Sequence, residues 1–133
     1  MSAAKQLRVL VVDDLDSVCQ VVAETIRFAG HNVVGTAHDG VEAVARAAEL
    51  RPDVVVMDVF MPKLNGVEAM KQILKAGTAG RVMLISGEYR SLGLTVEDMY
   101  QNGAAAFLEK PFNTTALCGL LQQWSGEAKP ASN

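Results

Sequence analysis

Positive charge is in short supply in this chain of 133 residues. Twelve Lys and Arg stand against fifteen Asp and Glu, a net charge of −3. That excludes the basic footprint of a protein that grips nucleic acid directly. Long apolar runs are also missing: none approaches the roughly 20 residues that span a bilayer. The opening residues, MSAAKQLRVL, lack the extended apolar segment and cleavage site of a secretory signal, so a cytoplasmic protein is expected. The two cysteines, Cys19 and Cys118, have neither CxxC nor Cys/His spacing, which argues against zinc. Both read as reduced, small, buried apolar residues. No glycine-rich phosphate loop follows the first strand-like run, which weakens a nucleotide or flavin reading.

What is present is a globular pattern. Half of the chain is hydrophobic and a fifth is charged, enough for one domain with a real core. Strand-like runs at 7–12, 32–37, 53–58, 81–86 and 104–109 alternate with amphipathic stretches at 15–29, 40–50, 66–77, about 95–102 and 113–124. Asp16, Asp39 and Asn65 are placed to cap the first three helices, and Gly77 to close the third. The run 53–58 is the most apolar and belongs at the sheet centre. Five strands alternating with five helices predict parallel pairing, right-handed crossovers and helices on both faces, a doubly wound α/β fold. The domain is expected to span 1–124, followed by a flexible polar tail over 125–133.

In such a sheet, ligands bind beyond the carboxyl ends of the strands. The first strand ends at Asp13 and Asp14, the third at Asp58, the fourth at Ser86, and the fifth is followed by Lys110. Two adjacent carboxylates repel by roughly 4 kcal/mol at 4 Å for an effective dielectric of about 20. Three gathered at one rim require a cation, and Mg²⁺ suits an all-oxygen donor set. With the metal, the Ser86 hydroxyl and the Lys110 amine would stabilise charge spread over a transferring phosphoryl group. A carboxylate can be the nucleophile. Asp58, on the central strand, is the best placed to form an aspartyl phosphate.

The motifs VLVVDDLDSV, PDVVVMDVFMPKLNGVEAM, VMLISGE and GAAAFLEKPFN, in this order, resemble the receiver domain of two-component response regulators from about Leu7 to Trp124. The resemblance implies a flavodoxin-like (βα)5 sheet of strand order 2-1-3-4-5. It also implies a phosphoacceptor Asp58, with Mg²⁺ held by Asp13 (mainly through water), Asp14, Asp58 and the backbone carbonyl of Phe60. Ser86 would be the switch hydroxyl, Lys110 the phosphoryl counter-ion, and Phe107 an aromatic switch that turns inward when Ser86 moves. A cis peptide before Pro111 is implied as well. The implied partners are a histidine kinase or histidine phosphotransfer protein and a downstream protein target, with no membrane and no direct nucleic-acid contact. The protein itself would be a monomer or weak homodimer, a signalling module rather than a turnover enzyme.

This chain departs from the commonest family pattern in Ser86 for Thr, Phe107 for Tyr and Asn65 for Asp. Phe60 is bulky beside the acceptor, and the segment from Ser86 to Phe107 runs long. Two rivals are a Mg²⁺-dependent aspartyl-phosphate phosphohydrolase and a receiver-like binding module that is not phosphorylated. The first expects a second Asp where Phe60 stands; the second expects loss of some of the five site residues. His31 and His38 read as solvated turn residues, and Met57, Met61, Met70, Met83 and Met99 as packing. Leu92, Leu94 and Tyr100 are divided between a partner patch and local packing.

Overall fold

A computed structural model describes residues 5–87 and 89–127. Five strands, β1 (Arg8–Val12), β2 (Asn32–Ala37), β3 (Val54–Asp58), β4 (Arg81–Ser86) and β5 (Ala106–Glu109), alternate with five helices. The helices are α1 (Asp16–Phe28), α2 (Gly40–Leu50), α3 (Gly66–Ala76), α4 (Val96–Gln101) and α5 (Thr114–Ser125). The sheet has the order β2-β1-β3-β4-β5. Every adjacent pair is parallel, with one register shift between Val9 and Leu10 against β2. Among the described residues, no helix is long and apolar enough to cross a membrane.

The two faces of the sheet are sorted by the twofold side-chain period of a strand. From β1, Leu10 and Val12 join a core under α2, α3 and α4 with Met57, Met70, Ile73, Leu84 and Met99. Val9 and Val11 join the opposite core under α1 and α5 with Val56, Ile26, Leu117, Leu121 and Trp124. The central strand β3 is buried along its whole length, as its apolar run predicts.

Helix starts are mostly fixed by local polar chemistry. Asp39 accepts the Glu42 backbone N–H at the start of α2, and Asn65 accepts that of Glu68 at the start of α3. Gly77 adopts φ +68° after α3, where a side chain would be strained. Thr95 and Asp98 form a reciprocal capping box for the short α4.

Five local expectations need correction. Asp16 does not cap α1. Leu15 holds the capping position and has no side-chain oxygen to offer, and its carbonyl accepts the Val18 and Cys19 N–H groups. Asp16 is instead the first helical residue and contacts Gln20 and His38. His31 is buried rather than solvated, and its Nδ1 accepts the Leu7 backbone N–H at 3.1 Å. Cys118 is only half-buried, while Cys19 is fully buried. β5 begins at Ala106, and a 3-10 turn, Tyr89–Leu92, precedes α4. Helix α5 runs to Ser125, beyond the expected boundary at 124. The Ser125 carbonyl accepts the Lys5 N–H at 3.1 Å, and Glu127 pairs with Arg81. The remainder of the expected tail, 128–133, lies outside the described residues.

Candidate functional site

Parallel pairing brings the ends of β1, β3, β4 and β5 to one rim. Asp13 follows β1 directly and donates its backbone N–H to the Ala37 carbonyl at 3.1 Å. One of its carboxylate oxygens accepts the Leu15 N–H at 3.0 Å, an Asx turn that starts α1. Asp13 is buried while its neighbour Asp14 is exposed. Asp58 closes β3, only 6% exposed, with the Phe60 N–H 3.4 Å from its Oδ1. Ligand oxygens of Asp13, Asp14 and Asp58 all lie within 4.8 Å of one another.

Lys110 reaches this group from the far side of the sheet. Its Nζ donates to Asp13 Oδ2 at 2.8 Å and stands 3.5 Å from Asp58 Oδ2. The Lys110–Pro111 peptide is cis, and the Lys110 N–H donates to the Ser86 carbonyl at 3.0 Å. Ser86, fully buried, ends β4 one residue beyond Ile85, which pairs with Asp58. Phe107 lies on β5 opposite Leu84 and is half-buried. Phe60 is 45% exposed, two residues after Asp58 in sequence. The residues predicted to converge therefore belong to one rim, where Asp13, Asp14, Asp58 and Lys110 cluster and Ser86 ends the neighbouring strand.

The electrostatics are under-compensated. Burial pushes the Asp58 carboxyl up to about 6; Lys110 pulls it down and the Asp13 charge pushes it up again. Burial alone would lower the Lys110 pKa, but the Asp13 hydrogen bond and the charges of Asp58 and Asp13 outweigh it and raise it. Lys110 thus stays cationic, yet one amine does not offset three carboxylates. The cluster offers hard oxygen donors and neither His nor Cys, a donor set that fits a hard divalent cation and not zinc.

Two supporting residues escaped the sequence reading. Gly66, the first residue of α3, donates its N–H to the Val59 carbonyl at 2.8 Å. A Cβ there would sit 2.2 Å from the Asp58 carbonyl oxygen. A glycine opening a helix immediately after its Asn cap is the signal that marked it. Tyr89 lies in the long segment between Ser86 and Phe107; it is buried and packs edge-on to Phe107. No local pattern distinguishes it from a solvent-facing loop tyrosine.

With this geometry in hand, the similarities to known proteins are informative. The family model described as "Response regulator receiver domain" matches residues 9–122. The chain belongs to that family: it is a receiver domain of two-component response regulators. It is 35% identical over 118 residues to the chemotaxis protein CheY of Thermotoga maritima, covering 89% of this chain and 97% of that protein. It is also 42% identical over 112 residues to a protein-glutamate methylesterase/protein-glutamine glutaminase of the same organism. That match covers 84% of this chain but only 32% of the larger protein. In three dimensions it superposes on a chain of the CheX–CheY–BeF3–Mg²⁺ complex of Borrelia burgdorferi with TM-score 0.80, 28% identity and 92% coverage of each chain.

Proposed function

We propose that the protein is a phosphoacceptor in a His–Asp relay. A histidine kinase or histidine phosphotransfer protein donates a phosphoryl group to Asp58, and the changed surface binds a downstream protein target. The observation that carries this reading is the Lys110 amine set between the buried Asp13 and Asp58 carboxylates, with Asp14 alongside. The reading makes the domain a signalling module in a cytoplasmic setting, not an enzyme of turnover.

In the transfer, an Asp58 carboxylate oxygen attacks phosphorus as the N–P bond of the donor phosphohistidine breaks. The electron pair stays on the donor imidazole, which takes a proton from water. Asp58 must be ionised to attack, and with a pKa of about 6 it is mostly so at neutral pH. Lys110 is close enough to shift from the carboxylates to a phosphoryl oxygen, and the Ser86 hydroxyl is assigned a second one. Asp13, Asp14, Asp58 and the Phe60 carbonyl would hold Mg²⁺, which when bound neutralises charge on the phosphoryl oxygens. Ser86 and Phe107 would then form the two-state element whose balance the acyl phosphate biases.

Incubation with Mg²⁺ and acetyl phosphate, followed by intact-mass measurement, tests the proposal. One phosphoryl adduct is expected, lost on chelation of Mg²⁺ and in Asp58→Asn, and retained in Glu68→Gln. An adduct that survives Asp58→Asn would overturn it.

A further inference from the structure

The space beside Phe107 is already taken. Tyr89, three residues after Ser86, is 3% exposed and belongs to the core cluster of Leu84, Met99 and Ala104. Phe107 packs against that same cluster only in part. The two rings meet edge to face, with centroids 5.1 Å apart and planes at 79°. Protein interiors are close-packed, so a site filled by one aromatic ring cannot admit a second without displacing the first.

Above Tyr89 sits a light polar cover. The Arg90 guanidinium lies 4.6 Å from the Tyr89 ring centroid and 3.2 Å from the Glu109 carboxylate. Both side chains of that pair are at least half exposed, 70% and 50%, so the contact is weak and screened by salt. The turn that carries Tyr89 closes at Gly93, whose φ of +73° suits only glycine without strain. On the other side, the Tyr100 hydroxyl accepts the Phe107 backbone N–H at 3.1 Å and ties α4 to the outer edge of β5. Tyr89 is therefore held by its burial in the core, under an outer polar cover that is cheap to break.

We propose that Tyr89 and Phe107 exclude one another from a single cleft between the end of β4, α4 and β5, so that phosphorylation of Asp58 turns Phe107 inward only by expelling Tyr89. This rests on the phosphoacceptor reading above and adds a second moving aromatic to it. Only two residues separate Ser86 from Tyr89 in the sequence. Expulsion also parts Arg90 from Glu109. What a target then meets is a newly exposed tyrosine flanked by an unpaired cation and an unpaired anion.

The chain has two tyrosines, so protein grown with 3-fluorotyrosine carries two labels, and the signal lost in Tyr89→Leu belongs to Tyr89. Its ¹⁹F signal is read with a soluble nitroxide, before and after Mg²⁺ and beryllofluoride. Bound beryllofluoride has ¹⁹F resonances of its own that report occupancy of the site. The expected result is a shifted Tyr89 signal whose nitroxide broadening rises severalfold once the site is occupied. Occupancy with Tyr89 still protected overturns the proposal. A second arm needs no phosphoryl analogue. In Tyr89→Ala, or Tyr89→Leu if the first does not fold, the 4-fluorophenylalanine signal of Phe107, assigned by its loss in Phe107→Leu, should become protected from the nitroxide. An unchanged Phe107 signal there also overturns exclusion. Failure of beryllofluoride to bind would count against the phosphoacceptor reading, while this second arm still decides between the rings.

Discussion

Asp58→Asn should make the metal-free protein more stable at neutral pH. The Asp58 carboxylate is almost wholly withdrawn from water, and the Lys110 amine at 3.5 Å and the Phe60 N–H at 3.4 Å only partly replace its hydration. The outcome is a pKa lifted from its ordinary 3.8 to about 6, with burial the main cause. At about 1.36 kcal/mol per pH unit, the ionised native state carries a penalty of about 3 kcal/mol. The sign follows from the direction: a carboxyl whose folded pKa is raised favours the native state fully below its unfolded pKa. That contribution is lost as pH rises through about 6. Asn has nearly the same shape and is neutral at every pH. Lys110 loses one counter-charge in the exchange, while Asp13 remains 2.8 Å away.

The expected gain is therefore about 1–3 kcal/mol near neutral pH, shrinking toward zero by about pH 4. Urea denaturation in chelator across that range measures it, with the transition midpoint compared at constant slope. Saturating Mg²⁺ should stabilise wild type by mass action and the variant much less, narrowing the gap. A variant no more stable than wild type near neutral pH, or one whose advantage grows on acidification, would refute the reasoning. The trade between stability and a charged, dehydrated site is a common one.

Other consequences are open to measurement. His31 Nδ1 accepts the buried Leu7 N–H, so His31→Leu should cost about 1–3 kcal/mol in denaturation above neutral pH. Because burial lowers the His31 pKa, its contribution is present above the unfolded value and lost as pH falls through the folded one. The His31→Leu deficit should therefore shrink in acid, and a deficit that widens would contradict the assigned bond. Gly66→Ala forces a methyl to 2.2 Å from the Asp58 carbonyl oxygen and should destabilise by about 1–3 kcal/mol or more. Acetyl-phosphate labelling of the folded fraction should fall as well; full labelling would mean that α3 simply moves aside. Phe60→Asn should shorten the life of the phosphorylated state severalfold, by admitting water past a bulky neighbour. Release of phosphate at an equal or slower rate than wild type would sink that idea.

Strand ends were legible in the sequence because two patterns agree there. An unbroken apolar run such as 53–58 has few ways to be buried, and the polar residue that stops it must then lie at the rim. Asp39, Asn65 and Gly77 were readable for the same local reason: each acts within a few residues of itself. Failures came where a distant partner decided the outcome. Asp16 looked like a cap, but Asp13 turns the chain at Leu15, and the helix already includes Asp16. His31 looked like a turn residue until β1 was laid beside it. Arg8 donates to the Leu50 and Arg51 carbonyls at the end of α2, more than forty residues away, at 2.8 Å each. The burial of Tyr89 depends on α4 and β5 closing around it, and nothing in GEYRSLGLT encodes that closure locally.

The bond between the Lys5 N–H and the Ser125 carbonyl has a practical outcome. It places both extremities of the described chain where the strands begin, a strand's length or roughly 17 Å from the acidic cluster. A fluorescent protein, affinity handle or surface tether attached at either extremity would leave that rim clear. Two such fluorophores, one on each extremity, would sit too close together for energy transfer between them to register the switch, so a sensor built from this domain needs its second dye near Arg90.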